Sequence, residues 1–325
     1  MNRLSVVRRI SVAVTSAIAI AITLAPLRSL AGDPFRSSNP RNISSQTEAA
    51  FNAFFKEGNY PKASNLVKEA EASQPSEPMV YALQAALAYN KGDWGTVKAY
   101  SSKTLAMAEQ LGSSDALRGH IYTAVGHLLD AAYTFQNEGP LAAANKLQTV
   151  FKSIEDAEKI DAKDPELNLV KGYMDLLLAV YLPFSDTAQT IEKLESDARP
   201  AYLAYRGIAV AYRDLNQNSK ALEYAERVFS EIPNNPEVVY LKAQLLFKQG
   251  AEPKNLSTLN NAKKLFNESL EKRQQLPKGL VAQISFERCQ VQIYIDNQNR
   301  DCTAKFNQIN AMPGVWGPAE LPPLD

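Results

Sequence analysis

The sequence predicts an all-α fold built from antiparallel helix pairs. Three observations carry this expectation. Apolar and small residues recur at helical spacing in one segment after another. Clusters containing Pro and Gly cut those segments into units of one to two helices. The clearest unit runs Tyr205-x-x-Ile208-Ala209-x-x-Tyr212, then Ala221-x-x-x-Ala225-x-x-Val228, then Pro233. Ala209 and Ala221 would let two helices approach closely, Tyr212 and the aliphatic positions would fill the space around them, and Pro233 would stop the second helix.

The elements follow in order. Residues 32–43 are rich in turn formers and predict an extended or mobile leader. Ser44 or Ser45 can cap a helix over Thr47 to Lys56, whose Ala50, Phe51, Phe54 and Phe55 form a broad apolar stripe that stops at Gly58-Asn59. Pro61 opens a second helix carrying Ala63, Leu66, Val67 and Ala70, closed by Pro75. The next pair begins at Pro78, with Tyr81, Ala82, Ala85, Ala86 and Tyr89 on its first helix, a turn at Asn90 to Asp93, and a second helix over Trp94 to Glu109. Ala99, Lys103 and Ala106 are the expected packing positions of that second helix, and the lysine puts its register in doubt. Tyr89 and Tyr212 are expected to pack internally.

Leu111 to Asp115 is a break and a new cap. Ala116 to Phe135 and Leu141 to Ile160 then predict a long central hairpin, spanning 115–160, around Asn137-Glu138-Gly139-Pro140. Helices over Pro165 to Val180 and Asp186 to Asp197 follow, and Pro200 introduces the clearest pair. Pro236 starts another, with Ala243 and Leu246 in front, Ala262, Phe266 and Ser269 behind, and an inserted solvent-facing loop at Gly250 to Ser257. A last long helix over Gly279 to Asp296 caps a helical region spanning 44–311, and the Pro-rich residues 312–325 are expected to fray or lie extended.

These small and aromatic positions resemble the tetratricopeptide repeat, well over about half of the chain and loosely over most of it. The resemblance implies a right-handed αα superhelix, a solenoid whose front helices line a concave groove and which works by holding partners. The irregular repeats and long central hairpin, together with the export signal described next, look like an uncharacterised family of exported cyanobacterial repeat proteins.

Met1 to Arg9 carries Arg3, Arg8 and Arg9 with no acid, Ile10 to Ala25 is almost wholly apolar or small, and Ser29-Leu30-Ala31 ends in small residues. This pattern predicts a secretory signal peptide over residues 1–31, cut after Ala31, with no membrane insertion afterwards. The destination would be the periplasm or a thylakoid lumen. The whole chain carries 35 basic and 35 acidic side chains, and loss of Arg3, Arg8, Arg9 and Arg28 would leave 31 against 35. That mild negative balance, with lysines alternating with acids, gives no footprint for nucleic acid. An oxidising compartment permits Cys289 and Cys302 to pair; free thiols are the alternative.

The predicted partner is an exported protein or peptide, held as a strand or helix in the groove. Tyr81, Tyr202, Tyr205, Arg206 and Arg213 are the candidate contacts, because aromatic rings with polar tips bury area while keeping a hydrogen-bonding group. No catalytic residue, metal ligand set or cofactor is predicted. The chain has no Gly-x-x-x-x-Gly-Lys, His-Glu-x-x-His or Gly-x-Ser-x-Gly motif. A competing expectation is a small-ligand or cell-wall-glycan site in the central helices, lined by His120, His127 and Asp130. The two histidines are two turns apart, about 10 Å along a helix axis, so one ion could be shared only with ligands from elsewhere.

Overall fold

The computed structural model describes residues 32–181 and 187–323. The expected signal peptide at 1–31 and the expected turn at Leu182 to Ser185 fall outside the described residues. Among the described residues there are fourteen α-helices and no strand, apart from one isolated antiparallel bridge between Pro277 and Trp316.

The helices form seven successive pairs. Helix α1 (Ser45–Phe51), continued by a π-helical turn (Asn52–Lys56), pairs with α2 (Tyr60–Ser73), and α3 (Pro78–Asn90) with α4 (Trp94–Gly112). The central hairpin is α5 (Ala116–Glu138) with α6 (Pro140–Asp161), followed by α7 (Pro165–Tyr181) with α8 (Thr187–Asp197). Then come α9 (Ala201–Asp214) with α10 (Asn218–Glu231), α11 (Pro236–Ala251) with α12 (Leu256–Glu271), and α13 (Lys278–Asp296) with α14 (Cys302–Ala311). Each odd-numbered helix also touches the next odd-numbered one, so these form a continuous front layer and the even-numbered helices a back layer. The result is an all-α solenoid with one uninterrupted ribbon of core from Phe35 to Ile309.

The local reasons are those of ordinary helix chemistry. Side chains of Ser44, Asn59, Glu77, Asp93, Asp115, Asn235, Asn255 and Asp301 accept from free N–H groups at helix starts. Gly139, at φ +92°, makes the hairpin turn alone, because α5 runs on through Glu138 and α6 starts at Pro140. At the α4–α5 crossing a Cβ on Gly119 would lie 2.6 Å from the Gly112 backbone, so only glycine permits that approach.

Several expectations are corrected. Helix α4 buries Val97, Ser101, Thr104 and Ala108, while Ala99, Lys103 and Ala106 face solvent, because a lysine at the packing seam would be desolvated. Lys103 instead bonds Glu71 at 3.2 Å and lies over the Tyr81 and Tyr100 rings. Tyr89 is half exposed against the edge of Trp94 instead of packed inside. The supposed insertion at Gly250 to Ser257 lengthens α11 and starts α12 early, leaving only Glu252 to Asn255 between them. A further helix, α14, follows the expected last one and is tied to α13 by a disulfide between Cys289 and Cys302.

The ends of the solenoid meet. The leader is non-helical but anchored: Phe35 and Ile43 are buried, and Phe35 packs edge-on against Phe51 at 5.3 Å. Asn235 Nδ2 donates to the carbonyls of Phe55 and Lys56, and Tyr60 donates to Glu237 at 2.8 Å, so the first pair sits on the start of α11. The C-terminal tail folds back, with Gly317 N donating to Leu276 O, and brings Trp316 beside Tyr60 and under Lys91. The molecule is therefore not the open elongated ribbon that helix pairing alone suggests.

Candidate functional site

Closure divides the inner face in two. At the N-terminal ends of α3, α5 and α7 the leader is buried against a dense ionic cluster. Arg118 holds Glu77 through two bonds of 2.7 and 3.1 Å and reaches toward Glu166 at 3.5 Å. Glu166 also accepts from Tyr122 at 2.6 Å and from Arg41 of the leader at 2.5 Å, while Arg41 and Arg36 both pair with Asp164. Three carboxylates at helix starts match three guanidinium groups, so each charge taken from water has a partner. Burial alone would lower the Arg118 pKa, but Glu166 above all, with Tyr122 and Glu77, holds it above the ordinary arginine range. Burial pushes the Tyr122 hydroxyl well up. This cluster is structural: its donors face its own acceptors. A cleft of about 340 Å³ runs beside it between Asn42, Gln74, Ser114 and Asp115.

At the other end of the front layer a trough of about 550 Å³ remains open on the inner face of α9, α11 and α13. Tyr240, Gln244, Phe247 and Lys248 share one face of α11, and Gln283, Phe286, Glu287 and Gln290 share one face of α13. Arg213 reaches in from the last turn of α9, where a cation suits the helix dipole. Glu287 is the convergent acceptor. It takes bonds from Tyr240 at 2.8 Å, Gln283 at 2.7 Å and Gln244 at 2.9 Å. Arg213 donates to Gln244 at 2.9 Å, which fixes that amide so that its NH2 faces Glu287. Burial, then the charge of Glu287, raises the Tyr240 hydroxyl far above its ordinary value, so it remains a donor. Phe247 meets Tyr294 edge-on at 5.3 Å and Phe286 meets Phe306 at 6.2 Å, giving the trough aromatic shoulders.

Of the five contacts expected from sequence, this trough contains only Arg213. Tyr81 is buried and donates at 2.7 Å to the carbonyl of Pro75, in the connection between the first and second pairs. Tyr202 is buried in the core. Tyr205 is half-buried between Tyr224 and the Arg227 guanidinium. Arg206 is taken up by Glu237 at 2.5 Å, in the contact that closes the ends. Tyr81, Tyr202 and Tyr205 were expected to face a partner; Tyr81 instead stacks on Tyr100 and Tyr205 packs on Tyr224, each within its own helix pair, where burial of a large apolar area outweighs display of the hydroxyl. Gln244, Gln283, Phe286 and Glu287 were missed; the sequence signal for the three polar ones is their recurrence at helical spacing on a face that should be apolar, and Phe286 carries none.

His120, His127 and Asp130 do not converge. Asp130 is buried and clasped by Lys98 at 2.5 Å and Lys146 at 2.8 Å, tying α4, α5 and α6 together. His127 is half-buried with no partner for Nδ1, and burial lowers its pKa against the pull of Asp130. Neither cleft is lined by either histidine. Among the described residues no group of three His, Cys, Asp or Glu side chains is placed to hold a metal ion, and no helix is long and apolar enough to cross a membrane.

Stacked antiparallel pairs with a continuous front layer define a tetratricopeptide-like α-solenoid. Solved structures resemble it at low identity. A thermophilic tetratricopeptide protein of Thermus thermophilus is 16% identical, with 77% of this chain and 98% of that one covered and a TM-score of 0.31. The human IFIT1 dimer with PPP-AAAA is 15% identical over 83% of this chain and 68% of that one, with a TM-score of 0.47. The C-terminal part of a tetratricopeptide-repeat protein from Cytophaga hutchinsonii is 13% identical over 80% and 98%, with a TM-score of 0.35. No family model and no curated protein matches the chain. The class rests on the helix-pair packing itself.

Proposed function

We propose that this chain is an exported, non-catalytic interaction scaffold that holds an extended peptide or a helix in the trough formed by α9, α11 and α13. One observation carries the reading: an accessible trough on the inner face in which a carboxylate, amides and a guanidinium converge between aromatic shoulders. A peptide presents alternating N–H donors and C=O acceptors. Glu287 and the glutamine oxygens suit the former, Arg213, Lys248 and the glutamine NH2 groups the latter, and Phe247 and Phe286 supply apolar area for anchoring side chains. The arginine-led, acid-free residues 1–31 and a chain whose two cysteines are joined favour an oxidising compartment, periplasm or thylakoid lumen, as in the exported cyanobacterial repeat proteins that the sequence resembles. Nothing in the arrangement of His120, His127 and Asp130 favours the competing small-ligand or glycan-enzyme reading.

Peptides selected from a displayed random library against the folded protein test this. Glu287→Gln and Phe286→Ala should each weaken the selected peptides about tenfold or more, the loss typical of a hot-spot contact. Tyr81→Phe, remote from the trough, should leave them unchanged. Selected binders indifferent to both trough variants, or no binders at all, would overturn the proposal. Fractionation of the source cells, with the protein found only in the cytoplasm, would overturn the export reading separately.

A further inference from the structure

The first described residue of the leader meets a carboxylate. Gly32 N donates to Glu48 Oε2 at 2.7 Å, from the first turn of α1. The fit is close: a Cβ on Gly32 would lie 3.0 Å from Glu48 Oε1. Beyond this point the leader is held at several further residues. Asp33 is buried and accepts from Phe35 N at 2.9 Å and Arg41 N at 3.2 Å, Phe35 packs on Phe51, and Arg36 and Arg41 enter the ionic cluster at Asp164 and Glu166. Gly32 is also the residue that follows the small-residue exit Ser29-Leu30-Ala31.

We infer that Glu48 is a built receptor for the α-ammonium group that hydrolysis of the Ala31–Gly32 peptide bond would create. Water adds across that bond, leaving the carboxylate on the released Ala31 and the amine, protonated at neutral pH, on Gly32. The existing N–H to carboxylate bond then becomes an ion pair with two further N–H donors, stronger than the amide contact it replaces. Processing would thus complete the anchoring of the leader against the start of α7, beside the first helix pair seated on the start of α11. This inference rests on the export reading above.

Two measurements separate the two claims. N-terminal sequencing of the protein from the exported fraction should begin Gly32-Asp33-Pro34; any other start overturns the processing site. Independently, a chain prepared to begin at Gly32 is treated at neutral pH with a water-soluble acetylating reagent, and acetylation of the α-amine is followed by mass spectrometry. An ion-paired amine stays protonated and reacts slowly, so Glu48→Gln should speed its acetylation about fivefold or more. Glu57→Gln should not change the rate. A chain beginning one residue earlier, at Ala31, should also react faster, because its ammonium is displaced from Glu48. Equal rates in the Gly32 chain and its Glu48→Gln variant, with both folded by circular dichroism, would overturn the pairing while leaving the export reading intact.

Discussion

Single charged side chains do much of the joining in this solenoid. Asp130 shows how. Burial would raise its pKa, but bonds from Lys146 and Lys98 outweigh that and hold it below the ordinary carboxylate value. A depressed folded-state pKa means stability that is fully present above the unfolded value, near 3.8, and lost as pH falls through the lower folded value. Asp130→Asn should therefore lower the urea midpoint at pH 6, and the gap to the parent protein should shrink by pH 3. An equal gap at both pH values would show that the clasp contributes through packing alone. Lys103 illustrates the opposite preference: it stays in water and moves the packing register of its helix around itself.

Helix interruptions are explained by the need to bury neighbouring large groups. Phe54 and Phe55 are adjacent, and a regular α-helix turns them 100° apart. The π-helical turn, closed by Glu57 N donating to Asn52 O, lets Phe54 meet Tyr60 while Phe55 meets Phe51 and Phe54. Helix α14 is short and weakly amphipathic, and the Cys289–Cys302 bridge fastens it to α13. With a sequence separation of 13, the bridge should contribute about 3 kcal/mol through the entropy of the unfolded chain. The Cys289→Ala/Cys302→Ala double variant should show that loss in urea unfolding, and hydrogen exchange should place it first in residues 297–311. An unchanged midpoint would show that the terminal pair is held by packing alone.

Repeat arrays are commonly open, with each pair touching only its neighbours. Here the first pair reaches across to the sixth through Asn235, Glu237 and Tyr60, and the tail adds Trp316 to the same junction. Gly58, at φ +62°, is part of the fit: a Cβ there would lie 2.7 Å from Asn235 Oδ1. Removing such contacts leaves buried groups without partners, at about 1–3 kcal/mol each. The Tyr60→Phe/Asn235→Ala variant should thus exchange the amides of α1 and α2 at least about tenfold faster, since 1.4 kcal/mol corresponds to a factor of ten. X-ray scattering should show a larger radius of gyration. Unchanged exchange and scattering would mean that the ionic cluster around Asp164 closes the ends without help from this junction.

Helix pairs were legible in the residues because helix starts, stops and apolar periodicity are local properties: Pro61, Pro78, Pro165 and Pro236 mark starts, and Ala221, Ala225 and Val228 mark a buried stripe. The spacing of Cys289 and Cys302 likewise admitted a bridge within one terminal unit. Which tyrosines face inward, which arginines are spent on the chain's own carboxylates, and where an accessible trough survives depend on contacts between residues more than a hundred positions apart, such as Arg41 with Glu166 and Tyr60 with Glu237. No local pattern encodes those meetings. They follow from small rotations between successive pairs, accumulated along the stack until its first pair meets its sixth. That accumulated geometry occupies one end of the inner face with the chain's own leader and leaves the other, at Arg213, Gln244 and Glu287, as an open trough.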